Sequence, residues 1–152
     1  MPKAIEFYKL TEQFYVDNKD NTQILFNKGG RGYGVILVKI LGCDFAIPLH
    51  SNIKKGFILG INQETGIKHG LDYLKAICIT DKTKYIGDRY YLKERQEFNK
   101  INNAQKHIIQ EFEKFVKKYI KAVQEQNENI LRTNYRNTTL VYYHHLLGIT
   151  TK

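Results

Sequence analysis

The sequence predicts an α+β fold: a small, twisted, mostly antiparallel sheet covered by helices from the C-terminal half. Three observations predict it. Before about residue 88, apolar residues come in short runs of β-branched and aromatic side chains broken by glycines. Beyond that point the spacing changes to three and four, as in Phe98, Ile101, Ile108, Phe112, Phe115, Tyr119 and Val123. The chain has 152 residues, 42% hydrophobic and 26% charged. That suits one domain over 1–152 that needs neither a metal nor a disulfide to fold.

The elements follow in order. Residues 5–15 alternate and carry Phe7, Tyr8, Phe14 and Tyr15, which predicts one or two short strands. Residues 17–22 are polar and read as a turn. Glycines at 29, 30, 32 and 34 mark a loop where the backbone needs unusual angles or a close approach. Residues 35–41 (VILVKIL) form the strongest strand. Gly42, Cys43 and Asp44 turn it, and residues 45–49 return as a hairpin. Pro48 cannot donate to a ladder, so the return strand is expected to end near it or lie at an edge. Further strands are predicted at 57–61 and 74–80, with a glycine-bearing stretch over 54–70 and a connector over 81–87. Asn102 and Asn103 interrupt the helical pattern, since asparagine is a poor interior residue and a good cap. Two helices are therefore predicted, over 89–101 and 104–126. Residues 127–137 read as a polar linker. Thr138 or Thr139 then caps a short terminal helix through Leu147, ended by Gly148.

Composition narrows the function. No apolar run approaches the roughly 18 residues a membrane helix needs, and MPKAIEFYKL has no signal-peptide pattern, so a cytoplasmic protein with no membrane partner is expected. Cys43 and Cys78 have no metal-ligand spacing and read as small apolar residues. The net charge is +9 with a pI near 9.4, which favours a polyanionic partner, above all nucleic acid. The lysine, asparagine, isoleucine and tyrosine content also fits A/T-rich coding. The surplus is spread along the chain without a basic tail, so the fold must assemble any basic surface.

Several chemistries find no support. The carboxylates are scattered, which disfavours a Mg²⁺ nuclease. The glycine loop lacks the GK[ST] of a phosphate-binding loop, and no GxSxG elbow exists. What remains is His50 and Ser51 at a strand end, Lys54 and Lys55 after them, and Lys28, Arg31 and Tyr33 in the glycine loop. Such groups can cut RNA without a metal or other cofactor. A base takes the 2′-OH proton, cations stabilise the phosphorane-like transition state, and an acid protonates the 5′ oxygen. DNA lacks the nucleophile. A His-Ser pair at a strand end is also common as plain structure.

The order Gly34-Val35-Ile36-Leu37, a turn, then Phe45-Ala46-Ile47-Pro48-Leu49-His50-Ser51 resembles the ToxN/AbiQ endoribonuclease toxins of type III toxin–antitoxin systems, most closely the CptN type. The N-terminal FY strand, the LDYLKAICI stretch and the YLKERQEFNKINNAQKHI segment follow in the same order. The resemblance implies a Kid/MazF-like barrel with added helices. It implies that Ser51 contacts the scissile phosphate. His50 stands where relatives have threonine and can act as acid or base. The lysine of relatives falls on Ile53, leaving Lys54 as the nearest substitute; the further tyrosine and lysine of relatives have no clean match, and Lys28, Arg31 and Tyr33 lie in the corresponding loop as sources of a cation. It also implies cellular RNA as substrate and an RNA pseudoknot antitoxin that the toxin processes from a repeat precursor. Toxin and RNA would form a closed ring with few protein–protein contacts. RNA contacts are expected from Lys39, Lys55, Tyr85, Arg89, Tyr90, Arg132 and Arg136. The alternatives are a non-catalytic RNA-binding regulator and, less well supported, a metal-dependent nuclease.

Overall fold

The structure, a computed structural model, describes residues 5–25 and 34–149. It is α+β, with seven antiparallel strands and five α-helices among the described residues. The strands are β1 (Phe7–Leu10), β2 (Val35–Ile40), β3 (Cys43–His50), β4 (Gly56–Ile61), β5 (Lys68–Asp72), β6 (Ile77–Cys78) and β7 (Ile86–Tyr90). Their order is β4-β5-β3-β2-β1-β7, with β6 also on β3. The sheet ends in two separate edge strands, so it is open where the resemblance implied a closed barrel.

The hairpin of β2 and β3 forms as expected. Leu41 and Gly42, both at positive φ, make the tight turn that matches strand twist. Pro48 does not end β3 or sit at an edge, as the sequence suggested. It is buried and paired with Val35 in the middle of the sheet. The other side of β3 explains this. β6 pairs there with Phe45 and Ala46, and β5 with Leu49 and His50. Pro48 falls in the gap between them, where no ladder bond is needed. A 3-10 turn at Tyr73–Lys75 spans the same gap between β5 and β6, so the strand expected over 74–80 shrinks to two residues.

Other expectations shift for local reasons. The second half of 5–15 is helix α1 (Glu12–Asp17), because the Thr11 hydroxyl accepts from Phe14 N–H and caps it. The connector over 81–87 holds helix α2 (Lys82–Tyr85), capped by Asp81, and the start of β7. The helical segment therefore begins later than predicted, with α3 (Arg95–Asn103) and then α4 (Gln105–Gln124) separated at Ala104. Next to the break, Asn102 Oδ1 accepts from Ile5 N–H at 2.8 Å and ties the segment before β1 to α3. Asn127 caps α5 (Glu128–Asn134) where a linker was expected. Thr138 caps a 3-10 turn at Thr139–Tyr142 in place of a terminal α-helix.

The core lies between the sheet and α4. Phe45 meets Phe112 edge-on at 5.2 Å, and Phe112, Val116 and Tyr119 are buried on the helix. Truncating a ring such as Phe112 costs about 3–5 kcal/mol. Buried Thr138 and Thr139 donate to the carbonyls of Leu74 and Ala76, locking the C-terminal turn onto the gap beside Pro48. No described helix is long and apolar enough to cross a membrane.

Candidate active site

β3 ends in His50, half-buried at the rim of the sheet, and Ser51 follows it, exposed. Register decides where the imidazole points. Phe45, Ile47 and Leu49 face α4, so Ala46, Pro48 and His50 face the other way. His50 pairs with Gly70 on β5, which puts Asp72 on the same face one diagonal step away. His50 Nδ1 lies 2.9 Å from Asp72 Oδ2. Asp72 is only 3% exposed, and its other oxygen accepts from Leu74 N–H at 3.1 Å, opening the 3-10 turn. A carboxylate can only accept, so it fixes the proton on Nδ1 and leaves Nε2 as the basic nitrogen of a neutral ring. This is the arrangement of a general base held in one tautomer by a buried acid.

Cations gather in a groove near the Asp72 turn. Lys54 and Lys55, exposed in the turn after Ser51, line a groove of about 470 Å³ with Arg132 and Arg136 of the α5 region. Its floor includes Leu74, two residues from Asp72. The Lys55 carbonyl accepts from Tyr73 N–H at 3.0 Å, so the lysine turn and the Asp72 cap are bound together. Lys75 closes the back of this region, donating to Gln23 Oε1 at 3.1 Å and to the Asn137 carbonyl at 2.9 Å. Burial pushes its pKa down, and the nearby Asp72 charge opposes that shift.

The predicted residues thus divide. His50 and Ser51 share the rim pocket, whereas Lys54, Lys55, Arg132 and Arg136 line a second groove with no lining residue in common with it. Tyr90 lies on the opposite, α4-facing side of the same rim and Arg89 beside it. Lys39 does not join them, since it pairs with Asp44 near the far hairpin turn. Nor does Tyr85, whose hydroxyl donates to Asp17 Oδ2 at 2.7 Å and whose ring packs edge-on against Phe14. Lys28, Arg31 and Tyr33 lie outside the described residues. The described chain resumes beside the rim at Gly34, whose carbonyl accepts from Leu49 N–H at 2.8 Å. Of the other aromatics, Tyr135 and Tyr143 are buried, whereas Tyr91 is 72% exposed. Cys78 is buried, with its thiol pushed up to about 12, and Cys43 is partly exposed.

Asp72, His69 and Glu97 escaped the sequence reading. Asp72 carried one faint signal, a cap residue two positions before Leu74. His69 carried none, and Glu97, lying among lysines, reads in the sequence as part of a solvated face, because only the fold brings β5 onto α3. No family model, curated protein or solved structure matches this chain. Among the described residues, no three His, Cys, Asp or Glu side chains gather as a metal-ligand set.

Proposed function

We propose that the protein is a metal-independent endoribonuclease centred on His50, Asp72 and Ser51. The observation that carries this is the 2.9 Å contact between His50 Nδ1 and a buried carboxylate, at a strand end followed by an exposed hydroxyl and, three and four residues on, by two lysines of a basic groove. His50 Nε2 takes the proton from a ribose 2′-OH. The 2′ oxygen bonds to phosphorus as the P–O5′ bond breaks. The 5′ oxygen takes a proton from a general acid, for which Lys54 is the candidate among the described residues; Lys28, Arg31 and Tyr33 are the sequence's candidates for a further cation. The products are a 2′,3′-cyclic phosphate and a 5′-OH, and every proton is accounted for. Ser51 donates to a non-bridging oxygen, and Asp72 stabilises the imidazolium that forms. Lys54, Lys55, Arg132 and Arg136 hold the flanking phosphates.

The resemblance to ToxN/AbiQ toxins belongs to this proposal, as does kinship with Kid/MazF-like folds. On that view the growth-arresting activity is held in check by an RNA pseudoknot in a closed protein–RNA assembly. The decisive experiment incubates RNA with purified protein in EDTA and analyses the ends. Cyclic phosphate in EDTA, lost in Ser51→Ala with the melting temperature unchanged, supports the proposal. Tight binding with no cleavage would replace it with a binding regulator, and cleavage only with Mg²⁺ would refute it.

A further inference from the structure

A second histidine–carboxylate pair sits on the other side of the same rim. By strand alternation His69 faces α4, away from the His50 and Asp72 side chains. Its Nε2 lies 2.6 Å from Glu97 Oε2 on the first turn of α3. Gly60 makes room for the ring: a Cβ there would lie 2.5 Å from His69 Cε1. The pair lies at one side of a pocket of about 300 Å³, walled by Leu49, Leu59, Leu92 and the Tyr90 ring. Tyr90 is seated in the same way, because a Cβ at Gly34 would come within 2.4 Å of its ring. His50 and Ser51 line the same pocket. Tyr90 and Leu92 also wall an adjoining hollow of about 280 Å³ that carries Arg89, Lys93 and Arg95, with the Arg89 guanidinium 5.2 Å over the Tyr91 ring.

We propose that this pocket receives one unpaired nucleobase of the strand cut at His50, with the adjacent phosphate at Lys93 and Arg95. The inference rests on the endoribonuclease proposal and adds what selects the cleavage site. Aliphatic and aromatic walls around a few polar groups are how single-stranded bases are held. The polar groups also set the preference. Glu97 accepts from His69 Nε2–H, so a neutral ring presents Nδ1 as an acceptor and Glu97 its other oxygen. Two acceptors favour a base with an exocyclic amine (adenine, cytosine or guanine) over uracil. The basic neighbour supplies the complementary charge.

The test uses Ser51→Ala protein, so that no RNA is cut, and reads fluorescence anisotropy. The probes are a labelled oligouridine and the same oligomer with one uridine replaced by adenosine, cytidine or guanosine. At least one replacement should bind about tenfold tighter than oligouridine. Adding Glu97→Gln or Gly60→Ala should bring the two within about twofold while leaving oligouridine affinity unchanged; a merely structural role would weaken every probe alike. Gly60→Ala keeps both side chains and only displaces the ring, so it tests the geometry where Glu97→Gln tests the chemistry. Binding without base preference, or a preference that survives both changes, overturns the subsite and leaves the cleavage proposal standing. Absence of binding to any oligomer overturns both.

Discussion

Asp72→Asn tests the logic of the active site most sharply. The amide keeps an oxygen for Leu74 N–H, so the cap survives, and it nearly preserves volume in a site only 3% exposed. What changes is the partner of His50. An amide NH₂ facing Nδ1 donates where the carboxylate accepted, so the ring proton moves to Nε2 and the catalytic nitrogen ceases to be a base. General base catalysis is worth about 10²–10⁴-fold, so cleavage should fall by that factor. The folded state exchanges a charge-assisted hydrogen bond for a neutral one, a loss of about 1 kcal/mol. Relief from burying the charge offsets part of that. The assay is single-turnover cleavage of a labelled RNA in EDTA from pH 5 to 9, paired with thermal melting. Activity within threefold of the parent across that range would refute the assignment of His50 as the base.

Other outcomes are equally checkable. Gly34→Ala should destabilise by about 1–3 kcal/mol in denaturant unfolding, because its Cβ overlaps the Tyr90 ring at 2.4 Å. Cys43→Ser should leave cleavage unchanged and shift melting by no more than packing explains, since the thiol approaches the Leu146 carbonyl at 3.4 Å and lies beside the Cys78 thiol, away from the rim. Burial holds His144 below the ordinary histidine pKa, and its Nε2 is 2.6 Å from the Tyr119 hydroxyl. The unfolded chain therefore takes up that proton first. The stability contribution is complete above pH 6.5 and is lost as the pH falls through the folded value. His144→Gln should flatten that part of the stability–pH curve, read by chemical unfolding at pH 5 and 7.5.

Sequence patterns carried the hairpin, the break between the two long helices and the location of His50 and Ser51, because each rests on local spacing. They failed where a distant partner overrides local preference. Phe14 and Tyr15 look like strand residues until the Thr11 cap is counted. β5 and β7 are short and hold Gly70 and Gly87, so neither announces itself; each is a strand because β3 or β1 offers it an edge. Pro48 argued for an edge, and only the two-part pairing of β3 shows how a central strand accommodates it. The site follows the same rule. Its histidine and serine are neighbours in sequence, whereas its orienting acid is 22 residues away and its groove needs Arg132 and Arg136.

The strand order also governs how the protein can be made. β1 lies between β2 and β7, and Ile5 is bonded to Asn102. A nascent chain emerging from the ribosome therefore carries its first strand with one flank bare until residue 90 has cleared the exit tunnel. Pairings of such long sequence separation close late. His50 meets Asp72 well before α4 and the Arg132–Arg136 stretch arrive, so the proposed cutting groups would assemble ahead of the surface that grips the strand. A chain made only as far as residue 90 would then hold the proposed catalytic dyad and Lys54 and Lys55, but not the Arg132 and Arg136 that complete the groove.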